Sequence, residues 1–374
     1  MQIIKGEYNV AKVYIDTIDD TTKDQIQLMM NTPVFGNSNI AIMPDCHKGA
    51  GSVIGFTATL NDYVVPNVVG VDIGCGVHSY CLGELDDINF KELDDFIKNN
   101  IPHGFGINSK VPDKNFFYFY EDLIGCVSKL ELDEEKVLKS IGSLGGGNHF
   151  IEVGKDSKNR IWITVHSGSR NFGLRVAQYH QEKARKKLKK YFIKDDFKDM
   201  EFLIENDAEE YLHDMKIAQK LAMINRIAML NRITDFLKAD IENEIVSVHN
   251  YIDFSHKKPI IRKGAISAKE GEKCLIPFNM RDGIAIGIGK GNEKYNFSAP
   301  HGAGRILSRK KALQKLNVDD FKKTMEGIYT TTANKKTLDE APDAYKDMNI
   351  ILDNIHDTVS IVDFIKPLYN FKSS

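Results

Sequence analysis

Residues 52–78 read SVIGFTATLNDYVVPNVVGVDIGCGVH. Two Val/Ile-rich runs in it, SVIGFTATL and YVVPNVVGVDIG, are punctuated by Gly and Pro, the layout of buried strands joined by tight turns. Residues 1–80 as a whole are predicted to be strand and loop, with few helices. Outward from there the period changes. From Asp87 to Asn99, and again from Leu132 to Leu138, apolar residues recur at helical spacing, and the glycines of GSLGGGNHF (142–150) predict a helix end. HFIEVGK (149–155) and IWITVHSG (161–168) return to short β-branched runs. Residues 174–240 are strongly helical, with apolar residues at three and four, and read as a helical insertion because chemical motifs lie on both sides of it. Residues 245–301 are strand and loop again, and 305–360 mix helices with the loop TTTANKKTLDEAPDAY. The expected class is α/β (mixed α+β), with mixed sheets.

The chain has 374 residues, 42% of them hydrophobic and 27% charged, a balance that suits a large buried core and excludes disorder. No apolar run approaches the ~18 residues that span a bilayer, and the start MQIIKGEYNVAKVYID lacks a signal-peptide layout, so a cytoplasmic protein with no membrane partner is expected. Five cysteines, odd in number and without C-x-x-C spacing, argue against a disulfide framework and a zinc ribbon. A cysteine that matters here acts singly. With a net charge of −2, nucleic-acid contact must come from a local basic surface.

Six motifs put metal-type or phosphate-type residues beside glycines or at strand ends: PDCHKGAG (44–51), VGVDIGCGVH (69–78), GSLGGGNHF (142–150), VHSGSRNFG (165–173), SVHNY (247–251) and SAPHGAGR (298–305). Asp72 and Cys75 stand in D-x-x-C, where glycines let a carboxylate and a thiolate face one ion; a Gly-rich turn around a small buried Cys is the alternative. Carboxylate, thiolate and imidazoles together suit Mn²⁺, Zn²⁺, Fe²⁺ or Co²⁺, so donor chemistry does not name the metal. His149 follows Gly145-Gly146-Gly147-Asn148, whose backbone amides can approach a phosphate, although the Lys of a P-loop is missing. His166 and His249 each end a β-branched run, where side chains of neighbouring strands can converge; a half-buried His bonded to a carbonyl is the alternative. His301, in P-H-G-A-G-R with the helical pattern RILSRKKALQKL beginning at Arg305, suits a nucleophile or general acid/base at a helix start, acting on a phosphoryl group. His180 and His356 lack nearby ligands and read as structural.

In this order the motifs resemble the RtcB family of RNA-splicing ligases, in its shorter subgroup, and EAPDAYKD (340–347) and KPLYNFK (366–372) look like that family's closing segments. The resemblance covers nearly the whole chain. It implies a single compact RtcB-type fold, one catalytic domain over 1–374 with the helical insertion at about 174–240, and a central cleft holding two manganese ions. The implied metal ligands are Asp72, Cys75, His149, His166 and His249, with the Cys75 thiolate bridging the ions, and His301 matches the histidine that accepts GMP. The implied guanylate pocket draws on Asn148, Glu152, Asn250, Gly302, Ala303, Gly304, Tyr345 and Lys372. Where longer members carry a Gly-Ser pair and a later serine, this chain has Phe278, Asn279 and Ile284; Asn279 can bond a guanine or ribose edge and Ile284 cannot. Glu152 makes chemical sense there, since a carboxylate accepts two N–H bonds from guanine and repels the N1 acceptor of adenine, which predicts GTP over ATP.

The implied activity is GTP- and Mn-dependent joining of RNA 2′,3′-cyclic phosphate or 3′-phosphate ends to 5′-hydroxyl ends through a guanylylated histidine, with room for an activating protein of the archease type. Arg170, Arg305 and the Lys48 region are the candidates for holding RNA phosphates. The basic run QEKARKKLKK (181–190) reads as a solvated helix face, and Asn225-Arg226 as a brace behind the site. A metal-dependent phosphoesterase acting on RNA terminal or cyclic phosphates would need the same centre but no guanine pocket, so His301 with Glu152 and Lys372 favours the ligase. A non-catalytic RNA-binding or metal-storage protein fits least, given the near-neutral charge and the lack of an aromatic-rich platform.

Overall fold

The structure is a computed structural model and describes residues 1–85, 87–112, 118–190, 197 and 199–373. Among them, the strands in chain order are β1 (Gln2–Lys5), β2 (Val10–Val13), β3 (Ile40–His47), β4 (Ile54–Thr59), β5 (Gly76–Cys81), β6 (Phe150–Lys155), β7 (Ile161–Ser167), β8 (Asn243–Val248), β9 (Asn250–Asp253), β10 (Ile260–Lys263), β11 (Ala265–Ser267), β12 (Lys273–Asn279), β13 (Gly283–Gly289), β14 (Ser298–Pro300) and β15 (Val359–Lys372). They form a six-stranded sheet ordered β1-β2-β3-β4-β10-β9, the pair β11-β14, and a seven-stranded sheet ordered β12-β13-β15-β6-β7-β5-β8. The pairing is antiparallel except between β2 and β3. This is the mixed α/β class expected.

The seven-stranded sheet curls until its edges meet. Leu275 on β12 donates its backbone N–H to Ser247 Oγ on β8 at 2.8 Å, which turns the sheet into a near-barrel. Side chains alternate across it with period two: Val77, Cys81, Trp162, Ile245, Leu275, Ile284 and Ile365 fill the inside, while Tyr80, Ile151, Val153, Ile163 and Val165 pack outward under helices. Cross-strand partners share a face, so the register Ser79↔Thr164↔Glu152↔Asn370 lays four polar side chains in one inner layer. The next layer toward the mouth is Val77, His166, Phe150 and Lys372.

The helix Glu205–Leu237 runs 33 residues and serves two cores. Its Tyr211, Met215, Leu221 and Ile224 join the apolar cluster beneath the six-stranded sheet, and its Met229, Leu230 and Ile233 join the one against the outer face of the near-barrel. The helix Arg170–Lys190 lies beside it, and the basic run there is largely ion-paired: Lys183 meets Asp207 at 2.8 Å and Arg185 meets Glu182 at 2.9 Å. Residues 191–196 and 198, part of the expected 174–240 helical region, lie outside the described residues. No described helix is long and apolar enough to cross a membrane, and all five cysteines are free thiols.

Two local expectations fail for identifiable reasons, and the few helices expected in the first eighty residues can be placed. YVVPNVVGVDIG is not a strand: Pro66 opens a short helix, Pro66–Val69, because its fixed φ suits the first helical position and it has no N–H for a ladder. The first eighty residues also hold the helix Asp20–Met30, whose start is marked by Asp19 accepting from the Thr22 backbone N–H and whose buried side is Ile26, Met29 and Met30. Finally, His301 does not begin a helix. Ser308 caps the helix Arg309–Lys315, and His301 directly follows β14.

Candidate functional site

One end of the near-barrel collects strand ends. β5 lies between β7 and β8, with Val77 opposite His166 on one side and Ser247 on the other. Two residues back from Val77, just before β5, stands Cys75, and two residues on from Ser247, just after β8, stands His249. The His249 N–H donates to the Cys75 carbonyl, so the pairing continues and period two brings Cys75, His166 and His249 out on one face. Cys75 Sγ lies 3.3 Å from His166 Nε2, and His166 Nε2 lies 3.4 Å from His249 Nε2. On the other side of the sulfur, His149 Nε2 is 3.5 Å from Cys75 Sγ and 3.0 Å from Asp72 Oδ2. Two donor groups therefore share one thiol: Cys75 with His166 and His249, and Cys75 with Asp72 and His149.

The protons on these rings are placed by their outer nitrogens. His149 Nδ1 is 2.9 Å from the Leu144 carbonyl and His166 Nδ1 is 3.2 Å from the Asn148 carbonyl, and a carbonyl only accepts, so both Nδ1 atoms carry hydrogen. His166 turns its Nε2 lone pair toward the sulfur, while His149 Nε2 faces Asp72 Oδ2 in a hydrogen bond that the ring donates. Burial drives His166 and His249 well below the ordinary imidazole range, which keeps them neutral. Burial raises the Asp72 carboxyl, but its hydrogen bond and charge interaction with His149 outweigh this and hold it at about 2. Burial and the neighbouring Asp72 push the Cys75 thiol well up, so a thiolate there calls for a cation. A carboxylate, a buried thiol and lone-pair imidazoles converging without an ammonium or guanidinium among them fit divalent metal ions.

The glycine loop makes room for this. Gly145 has φ +90°, and a Cβ there would stand 2.0 Å from Arg170 Nη1 and 2.8 Å from His149 Nδ1. Behind the loop, Asn225 accepts from the Gly142 and Ser143 backbone N–H groups at 2.8 and 3.0 Å and donates to Ser167 Oγ and the Gly168 carbonyl at 3.0 and 3.1 Å. Arg226, fully buried, donates to the carbonyls of Gly74 and Ser167, both at 2.8 Å. The brace expected from the sequence thus ties three motif loops to the middle of the long helix. Asn225→Ala strands buried backbone groups, and a loss of roughly 2–4 kcal/mol is expected in urea unfolding. An unchanged midpoint would mean that the loops are held elsewhere.

His301 faces the cleft beside these donors, its ring 4.8 Å from that of His249. Its Nδ1 is 2.6 Å from Asp45 Oδ2, which also accepts the His301 backbone N–H at 3.1 Å. A buried carboxylate only accepts, so Nδ1 carries the proton and Nε2 keeps its lone pair. Asp45 is a residue of this site that sequence reading did not single out. It stands in the quoted PDCHKGAG motif, but nothing in the spacing says that it meets a residue 256 positions later. The approach needs Gly304 at φ +73°, where a Cβ would fall 2.1 Å from the Asp45 carbonyl oxygen.

The cleft has a volume of about 1070 Å³ and reaches from Asp72, Cys75, His166 and His249 past His301 into the mouth of the near-barrel. Glu152 lies at its inner end, 2% exposed. Asn370 donates to Glu152 Oε2 at 2.9 Å, whereas Oε1 is buried without a partner. Burial, opposed by the Asn370 hydrogen bond and the Lys372 charge, pushes the carboxyl up to about 8. Phe150, Phe278, Met280 and Ile284 give this end apolar walls. Asn279 lines the cleft as well, but its side chain closes a turn, accepting from the Arg281 and Asp282 backbone N–H groups and donating to Asp282 Oδ2 at 2.7 Å.

Glu340, buried and unassigned by the sequence reading, organises the other wall. It lies 2.9 Å from Lys372 Nζ, 3.0 Å from Arg305 Nη1 and 3.3 Å from Arg309 Nη2, and it accepts from the Tyr345 hydroxyl. Burial raises its carboxyl, but Lys372, Arg309 and Arg305 outweigh that and hold it at about 2. Arg305 lines the cleft but is mostly engaged inside the protein, donating also to the carbonyls of Leu307 and Asp339, while Arg309 stays half exposed at the cleft. Asn250, which lines the cleft, bonds the Asp72 carbonyl at 3.1 Å and accepts from the Gly264 N–H at 3.0 Å. Asn148, Gly302, Ala303, Gly304, Tyr345, Lys372 and Lys48 also line the cleft; Arg170 does not, and is bonded to Ser143 Oγ and the Gly104 carbonyl.

Comparison with known proteins places this arrangement in context. A family model described as tRNA-splicing ligase RtcB matches residues 25–373. The RNA-splicing ligase RtcB of Escherichia coli K12 is 31% identical over 91% of each chain. The tRNA-splicing ligase RtcB of Aeropyrum pernix is 26% identical over 84% of this chain and 83% of its own.

Proposed function

The chain belongs to the RtcB family of RNA ligases, and on that footing we propose that it joins RNA 3′-phosphate or 2′,3′-cyclic phosphate ends to 5′-hydroxyl ends by way of GMP carried on His301. The observation that carries the reading is the His301–Asp45 pair. The carboxylate holds the Nδ1 proton and leaves the Nε2 lone pair on a cleft wide enough for a nucleotide. Nε2 attacks the α-phosphorus of GTP, the N–P bond forms, and the bond to the leaving pyrophosphate breaks. Asp45 offsets the positive charge that develops on the ring. A 2′,3′-cyclic phosphate is first opened by water, which breaks the P–O2′ bond and leaves a 2′-hydroxyl and a 3′-phosphate. The GMP then passes to an oxygen of the RNA 3′-phosphate, which breaks the N–P bond. The 5′-hydroxyl oxygen attacks that activated phosphorus and GMP leaves.

The metal ligands in this reading are Asp72, Cys75, His149, His166 and His249. Manganese ions held there would neutralise phosphate charge and act as Lewis acids. Glu152 is the guanine reader, because its unpartnered Oε1 and the remaining lone pair of Oε2 suit the N1–H and N2–H donors. Lys372, Tyr345 and the Gly302–Gly304 turn line the path from the base to His301. Asn279 contributes through the turn it builds rather than through a free amide.

Incubation with α-labelled GTP and Mn²⁺ tests the reading. The expected product is an acid-labile, base-stable protein label, and a chain that hydrolyses RNA terminal phosphates without ever taking the label would be a phosphoesterase instead. Glu152 adds a pH signature. With its carboxyl near 8 before guanine binds, GTP must displace a proton, so apparent affinity should rise by up to about tenfold per pH unit from about pH 6 to about 8 and then level off. Glu152→Gln should remove that part of the slope and weaken GTP by ~1–3 kcal/mol, with ATP gaining relative to GTP. An unchanged slope and an unchanged GTP-to-ATP ratio would take Glu152 out of the pocket.

A further inference from the structure

Phe105 is fully exposed, more so than any other large apolar side chain among the described residues. The segment that presents it is nevertheless pinned. The Gly104 N–H donates to the Gly145 carbonyl and to Ser373 Oγ, both at 2.8 Å, and the Gly104 carbonyl accepts from Arg170 Nη2 at 2.8 Å. On the other side the Asn108 amide donates to the carbonyls of Lys139 and Ile141 at 2.9 and 2.7 Å. His103 packs edge-on against Phe371, ring centres 5.3 Å apart. A phenyl ring left in water forgoes about 1.5–3 kcal/mol of burial, and here a rigid turn holds it out rather than letting it fold back.

Its position ties it to the site. Gly104, next to Phe105, bonds Gly145, and Gly145 is in close contact with both Arg170 and His149. The Arg170 guanidinium spans from the Gly104 carbonyl to Ser143 Oγ, which ties a cation to the turn that carries the ring. An exposed aromatic ring one residue from a carbonyl held by a guanidinium, on the turn bonded to the glycine loop whose Asn148 lines the cleft, matches one nucleotide of an unpaired strand: a base on the ring and its phosphate on the cation.

We propose that Phe105 is a stacking platform for an unpaired base of the RNA, close to the end being joined, with Arg170 holding the adjacent phosphate. The inference rests on the ligase reading given above. It concerns substrate grip outside the nucleotide cleft, and it gives the chain a preference for ends with a single-stranded overhang over ends that are base-paired to the last nucleotide.

The protein has a single tryptophan, Trp162, buried inside the near-barrel, so Phe105→Trp adds one exposed reporter whose response is read as the difference from the wild-type protein. Titration of that variant with a single-stranded RNA oligonucleotide bearing a 3′-phosphate should quench the added emission, whereas a blunt duplex should not. In joining assays Phe105→Ala should raise the KM for single-stranded RNA about tenfold or more, with little change in kcat, and Phe105→Trp should restore it. Circular dichroism and sedimentation of each variant accompany the kinetics. Absence of quenching together with an unchanged KM overturns the platform. So does a loss of self-association in Phe105→Ala with RNA kinetics untouched, which would make the ring a contact between copies of the chain. The quench is read without any joining step, so it decides the platform even if the wild-type protein takes no label from GTP and the ligase mechanism itself falls.

Discussion

His301→Ala is expected to take no label from α-labelled GTP while keeping its metal. The ring nitrogen that faces the cleft is the nucleophile in the proposed reaction, and His301 belongs to neither group of converging donors around Cys75. The neighbouring variant sharpens the test. In Asp45→Asn the amide oxygen still accepts the His301 backbone N–H and Nδ1–H, but the negative charge that offsets the developing positive charge on the ring is gone. By analogy with the orienting carboxylate of Ser-His-Asp sites, the labelling rate should fall by a factor on the order of 10²–10⁴, with the fold intact. Protein-bound GMP in His301→Ala would move the nucleophile elsewhere. Full-rate labelling in Asp45→Asn would leave the 2.6 Å contact a structural detail.

The second large effect is expected at Cys75. Its sulfur is the atom common to both donor groups, so Cys75→Ser replaces a soft thiolate by a hydroxyl in two sites at once. Metal content after dialysis should drop from two ions toward none, and joining should be lost. Cys46→Ser and Cys126→Ser are the controls. Both thiols are buried and pushed up to about 12 by burial, and neither stands among the converging imidazoles. Equal metal content in the three variants would remove Cys75 from the centre.

The sequence made the chemistry more legible than the scaffold. Asp72, Cys75, His149, His166 and His249 could be singled out because glycines and β-branched runs mark turns and strand ends, and the structure brings those five side chains together. What joins them is a register between β5, β7 and β8, whose strands lie far apart in the chain, and no local pattern encodes such pairing. Asp45 and Glu340 stayed hidden for the same reason, although both lie in motifs that were quoted. YVVPNVVGVDIG misled because an apolar run of that length fits a buried strand and a buried helical turn equally well, and Pro66 decided between them. Arg305 looked like a phosphate ligand from its place in PHGAGR. Only its partners, Glu340 and two carbonyls, reveal that it holds the wall together.

The long helix Glu205–Leu237 adds something that neither core would have alone. One of its ends is packed under the six-stranded sheet, the other against the near-barrel, and its midpoint holds the loops of three motifs through Asn225 and Arg226. It works as a shared axle. Neither core can loosen by itself without dragging the helix, and the helix cannot shift without disturbing the donor cluster. Free energy gained by filling that cluster is therefore spread over the whole molecule instead of stiffening one corner, and the parts of the chain on either side of the helix rise and fall in stability together.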